Sequence, residues 1–91
     1  MPLPGLVTLG QNCPNPFNPG TEIRFTLSKE SGVELSEYDL SGRAITTLIN
    51  GKEQAGDHRV RWDGGSQPSG VYFYRLTVGQ NAQVQKMILM R

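Results

Sequence analysis

The sequence predicts an all-β domain, and three observations carry that prediction. Apolar and polar residues alternate over short runs, as in Ile23, Phe25 and Leu27 against Glu22, Arg24 and Thr26. A period of two is that of a half-buried strand. Clusters of glycine, proline, asparagine and aspartate punctuate the chain about every eight to twelve residues, and no segment shows a helical period. Together these features fit an immunoglobulin-like antiparallel β-sandwich of about seven strands.

Residues 1–10 read as a linker-like lead and residues 11–91 as the sandwich. The opening Met1-Pro2-Leu3-Pro4-Gly5 lacks the charged and apolar regions of a signal peptide, so an export signal is expected on another part of the protein. Gln11 to Gly20 holds three prolines and three asparagines, with Phe17 as its one apolar anchor. Proline removes a backbone donor and asparagine mimics turn hydrogen bonds, so this is an extended, turn-rich entry segment.

Thr21 to Ser28 is the first expected strand, and Glu30-Ser31-Gly32 turns it. Val33 to Leu40 follows, with Val33 and Leu35 in phase and Glu37 where a third apolar residue belongs. A carboxylate on a core face costs several kcal/mol unless it is paired. Glu37 is therefore expected at an exposed strand end or beside an arginine. Ala44 to Ile49 returns as a strand, and Asn50-Gly51 is a strong turn signal. His58 to Trp62 alternates again, and Asp63 to Gly70 is a long turn segment. Val71 to Val78 is aromatic and β-branched, the best strand candidate. Gly79-Gln80-Asn81 leads into Ala82 to Met90. The expected core is Ile23, Phe25, Leu27, Val33, Leu35, Leu48, Val60, Trp62, Tyr72, Tyr74 and Leu76.

Composition excludes more functions than it suggests. The chain of 91 residues is one domain, and a chain so short buries only about 60–65% of its unfolded surface. Its net charge of +1 gives no field favouring nucleic acid or an anionic membrane. No apolar run approaches the roughly 20 residues of a membrane helix. Cys13 is the only cysteine, so no internal disulfide staples the core.

Nor does a catalytic set emerge. His58 is the only histidine and shares a predicted face with Val60 and Trp62, while Asp57 points to the other face. A partly buried imidazole bonded to backbone is the expectation. One histidine and one cysteine cannot close a zinc site. Asp39, Asp57 and Asp63 lie at expected strand ends, where calcium could bridge loops, but their spacing matches no calcium-binding loop motif. Tyr72, Phe73, Tyr74 and Trp62 suggest a stacking platform, yet successive strand residues face opposite sides and a thin core needs aromatics. Arg59, Arg61 and Arg75 are expected along one solvated sheet face. No cofactor and no metal are expected.

Five blocks in order carry a resemblance. They are Asn15-Pro16-Phe17-Asn18-Pro19; Tyr38-Asp39 with Gly42-Arg43; Ala55-Gly56, His58, Val60 and Trp62-Asp63-Gly64; Ser69 to Leu76; and Lys86-Met87 with Leu89 and Arg91. The chain resembles the type A C-terminal sorting domains of the bacterial type IX secretion system over roughly residues 9–91. The resemblance implies a non-catalytic signal on exported cargo, recognised by an outer-membrane translocon and cut by a sortase-like peptidase. It implies a destination at the cell surface or in the medium, reached through the periplasm. It places recognition-type features on Gly70, Val71 and Tyr72, and on Lys86, Met87, Leu89 and Arg91 in the tail. Cys13 and Glu37 depart from the family pattern, as does a short Gly64–Ser69 stretch. The chain is also similar to the immunoglobulin-like domain of the flagellar hook-capping protein, a structural role. A third alternative is a self-associating fibre module, pairing through the terminal strand Ala82 to Met90.

Overall fold

The computed structural model describes residues 7–91. Seven strands form two antiparallel sheets that pack face to face. The strands are β1 (Val7–Leu9), β2 (Gly20–Leu27), β3 (Ser31–Asp39), β4 (Ala44–Glu53), β5 (Gly56–Asp63), β6 (Gly70–Val78) and β7 (Asn81–Leu89). One sheet runs β1-β2-β5 and the other β4-β3-β6-β7. The expected immunoglobulin-like sandwich is therefore the observed architecture. No helix long and apolar enough to cross a membrane occurs among the described residues.

The core forms where the alternating apolar residues of the two sheets meet. Ile23, Phe25 and Leu27 of β2 face Leu35 of β3 and Tyr74 and Leu76 of β6, all buried. Trp62 extends this core at one end, in a tilted contact with Phe17 at 5.6 Å and an edge contact with Tyr72 at 5.8 Å. Gly79 opens the β6–β7 hairpin at φ +61°, a left-handed conformation that glycine adopts without a Cβ clash.

Several expectations are corrected. Val7–Leu9, placed in the lead, pairs with β2 as a strand and buries Leu9. Asn50-Gly51 makes no turn: Asn50 pairs with Glu34 and Gly51 with Val33 inside β4, and the chain reverses after Glu53. The ladder to β3 outweighs the local turn preference there. Ser31 and Gly32 likewise belong to β3, not to a turn. Leu48 and Val60 are only partly buried, because β4 and β5 are edge strands with one flank open. Leu9, Phe17, Met87 and Leu89 join the core instead. Arg59 and Arg61 lie on β5 and Arg75 on β6, so they occupy different sheets, not one face.

Glu37 meets neither expectation. It is fully buried opposite Tyr74, and neither carboxylate oxygen has a hydrogen-bond partner. Desolvation pushes its pKa up to about 8. The group is a neutral carboxylic acid at neutral pH.

Candidate functional site

The residues singled out for recognition converge at one end of the four-stranded sheet. Gly70 pairs with Leu89, Val71 with Ile88, Tyr72 with Met87 and Phe73 with Lys86. Residues 70–72 and 86–89, far apart in sequence, thus lie side by side. Alternation sorts their side chains. Tyr72, Met87 and Leu89 point inward and are buried, whereas Val71 is half-buried and Lys86 exposed on the outside. The Tyr72 hydroxyl donates to the Pro68 carbonyl, which ties the β5–β6 loop to the start of β6.

Arg91 closes the same loop from the other side. Its guanidinium donates to the carbonyls of Gln67 (2.6 Å) and Gly64 (2.8 Å), and its backbone N–H to Ser69 Oγ (2.9 Å). Gly64 itself lies tight under the tail: a Cβ there would stand 3.1 Å from a Leu89 methyl and 3.3 Å from the Trp62 ring.

The sequence did not reveal what covers the outer edge of β7. The asparagine- and proline-rich entry segment runs along it, and Phe17 forms a parallel bridge to Leu89. The Phe17 N–H donates to Ile88 O (2.9 Å) and the Met90 N–H to Phe17 O (3.0 Å). Asn15 Oδ1 accepts from the Ile88 N–H (2.9 Å), and Gln11 Nε2 donates to Lys86 O (2.8 Å). Further along, Gln83 Nε2 donates to Val7 O (2.7 Å) and accepts at Oε1 from the Leu9 N–H (3.2 Å). The first and fifth sequence blocks are therefore one physical unit, a terminal strand held by a latch. The one signal for this was Phe17, an isolated aromatic among prolines. Of the strand Ala82 to Met90, the edge expected for self-association, the Lys86–Met90 part is thus engaged within the chain.

The remaining candidates are separate. His58 Nε2 lies 2.7 Å from Gln54 O, Nδ1 lies 3.6 Å from Glu53, and the ring stacks on Phe25 at 4.9 Å. Asp57 accepts from Thr26 Oγ1 and Asp63 from the Gly65 N–H. Asp39 accepts from Ser41 and Arg43; the Ser41 hydroxyl is the main cause that holds its pKa below the ordinary value. Among the described residues no three His, Cys, Asp or Glu side chains gather where a metal could be held. Cys13 is exposed and unbridged. Tyr74 is pushed up to about 12, chiefly by desolvation, and its hydroxyl donates to Gly10 O at 2.6 Å.

Residues 13–90 match the model of a family described as a secretion system C-terminal sorting domain. The chain is similar in structure to dimeric latent PorU from Porphyromonas gingivalis, with a TM-score of 0.73 and 21% identity. That likeness covers 97% of this chain but 10% of PorU, so the chain spans about a tenth of that protein and shares the fold of that part. No curated protein matches the sequence. No observation favours the hook-capping or fibre readings.

Proposed function

The chain belongs to the C-terminal sorting domains of type IX secretion, and from that premise we propose that the machinery reads its tail as a folded surface. Domains of this family are sorting signals on cargo that crosses the periplasm to the cell surface or is released. The family is non-catalytic in general. The proposed partners are the outer-membrane translocon and a sortase-like peptidase that removes the domain.

One observation carries the reading: the terminal strand is bonded on both flanks, to β6 on one side and to Asn15 and Phe17 on the other. A partner meeting this domain encounters a built surface, not a loose peptide. Tyr72, Met87 and Leu89 act by anchoring that surface in the core. Gly70, Val71 and Lys86 form part of what is presented, and Arg91 fixes the neighbouring loop.

The test is a reporter carrying a Sec signal at its front and this domain at its end, in a Gram-negative host with type IX machinery. Export is expected to need both the translocon and Lys86 to Arg91, and to fall in Lys86→Glu, whose fold is unchanged. Equal periplasmic retention of the intact and the truncated fusions, with the intact domain folded, would sink the sorting reading.

A further inference from the structure

Sandwich domains turn apolar residues inward and polar residues outward on both sheets. The three-stranded sheet does so: its outer face presents Glu22, Arg24 and Thr26 of β2 beside Arg59 and Arg61 of β5. The four-stranded sheet does not. Outward from β6 point Val71 and Phe73, outward from β7 point Val84 and Ile88, and Met90 follows just past the end of β7. Val84 and Met90 are each 56% exposed, and Leu40 in the β3–β4 turn is 69% exposed. Val71 sits directly beside Ile88, and Phe73 lies between Tyr38 and Lys86. Val71, Phe73 and Ile88 thus adjoin one another across β6 and β7, and apolar groupings rimmed by polar residues are where protein partners dock.

We propose that this outer face of β6 and β7 is a docking surface for a protein of the export machinery, one that offers apolar side chains ringed by carboxylates. The proposal rests on the sorting reading and names the face that the machinery touches. Charge chooses the occupant. Lys86 stands in the patch with no ion pair among the described residues, and Arg75 lies over the Tyr38 ring at 4.9 Å from its centroid. Of the carboxylates near this face, Glu34 lies toward the far end opposite Thr77, and Asp39 at the end of β3 is already engaged by Ser41 and Arg43. Two copies of this face would bring cations against cations, whereas an acidic rim complements them. An open notch of about 280 Å³ between Leu40, Ser69, Gly70 and Val71, with the Arg43-paired Asp39 also on its wall, adjoins the patch. It has room for one apolar anchor side chain, the kind of contact that dominates interface energetics.

The test is export of the reporter fusion in parallel variants. Leu40→Asp and Met90→Glu place a charge at exposed positions of the face, and Arg59→Glu does the same on the other sheet. The expected result is a loss of export of about tenfold for each of the first two, with Arg59→Glu unchanged. Melting temperatures should stay within about 2 °C of the parent. If Leu40→Asp and Met90→Glu are folded and exported like the parent, while loss of Lys86 to Arg91 still abolishes export, the face is refuted and the sorting reading stands. Failure of the intact fusion to be exported overturns that reading and this one together. Sedimentation showing a concentration-dependent dimer that Met90→Glu dissolves would make the occupant a second copy and refute the acidic partner.

Discussion

The two sheets of this sandwich obey different rules. In β1-β2-β5 alternation is kept: Ile23, Phe25 and Trp62 are buried, and the residues between them are charged or hydroxylated. In β4-β3-β6-β7 it is broken on both faces, by the buried acid Glu37 within and by the exposed Val84 without. Both departures oppose stability or solubility, and such departures are expected where function, not folding, sets the residue. The comparison assigns scaffolding to the three-stranded sheet and presentation to the four-stranded one.

The largest way to probe that division is Trp62→Ala in the scaffold sheet. Trp62 is 6% exposed and packs on Phe17 and Tyr72, so its truncation should cost about 3–5 kcal/mol and leave much of the chain unfolded by chemical denaturation. A loss below about 1 kcal/mol would remove it from the scaffold.

Next comes the acid inside the presenting sheet. The pKa of Glu37 rises from 4.5 to about 8 on folding, so the folded state holds this proton more tightly than the unfolded state. Its contribution is complete below pH 4.5 and is lost as pH climbs to about 8. Between pH 5 and 7.5 that amounts to about 3 kcal/mol. Glu37→Gln should flatten the urea-midpoint profile over this window; an unchanged slope would mean that another group titrates.

A smaller effect is expected at the latch. Asn15→Ala leaves the Ile88 N–H without its acceptor and should cost about 1 kcal/mol, with faster amide exchange confined to β7. Exchange that speeds up equally in β2 would show that the latch serves the whole fold. Smallest of all, Arg59→Ser on the charged outer face should shift stability by less than about 0.5 kcal/mol, read from the same urea curves.

Most of the fold was legible because strand periodicity is a local property. Alternation marked β2 and the middle of β5, the aromatic and β-branched run marked β6, and the Gly79-Gln80-Asn81 turn marked the start of β7, and Tyr72 and Tyr74 share the inner face as their spacing requires. What escaped was set by pairing across the chain. Asn50-Gly51 prefers a turn by itself, but β3 continues opposite it and holds it extended. Val7–Leu9 is too short to signal a strand and becomes one because β2 offers Phe25 to Leu27 as partners. Glu37 was visible as a break in pattern, yet its burial without a partner was not: its pairing with Tyr74 of β6 runs on without a break, while the ladder to β4 shifts register on either side of it, and neither effect can be read from local alternation. At the candidate site the blocks were legible but not their roles: Met87 and Leu89 are core, while Ile88 between them is half-buried and Met90 beyond them is exposed.

The central claim is that export reads a folded surface, and it is tested most directly by the Trp62→Ala fusion, which keeps every residue from Lys86 to Arg91 while unfolding the sandwich. Export is measured against the intact fusion, with immunoblots showing that the same amount of reporter reaches the periplasm. The account predicts that the variant stays in the periplasm. Export at the intact level, with the domain shown to be unfolded, would contradict it and make the tail a linear signal.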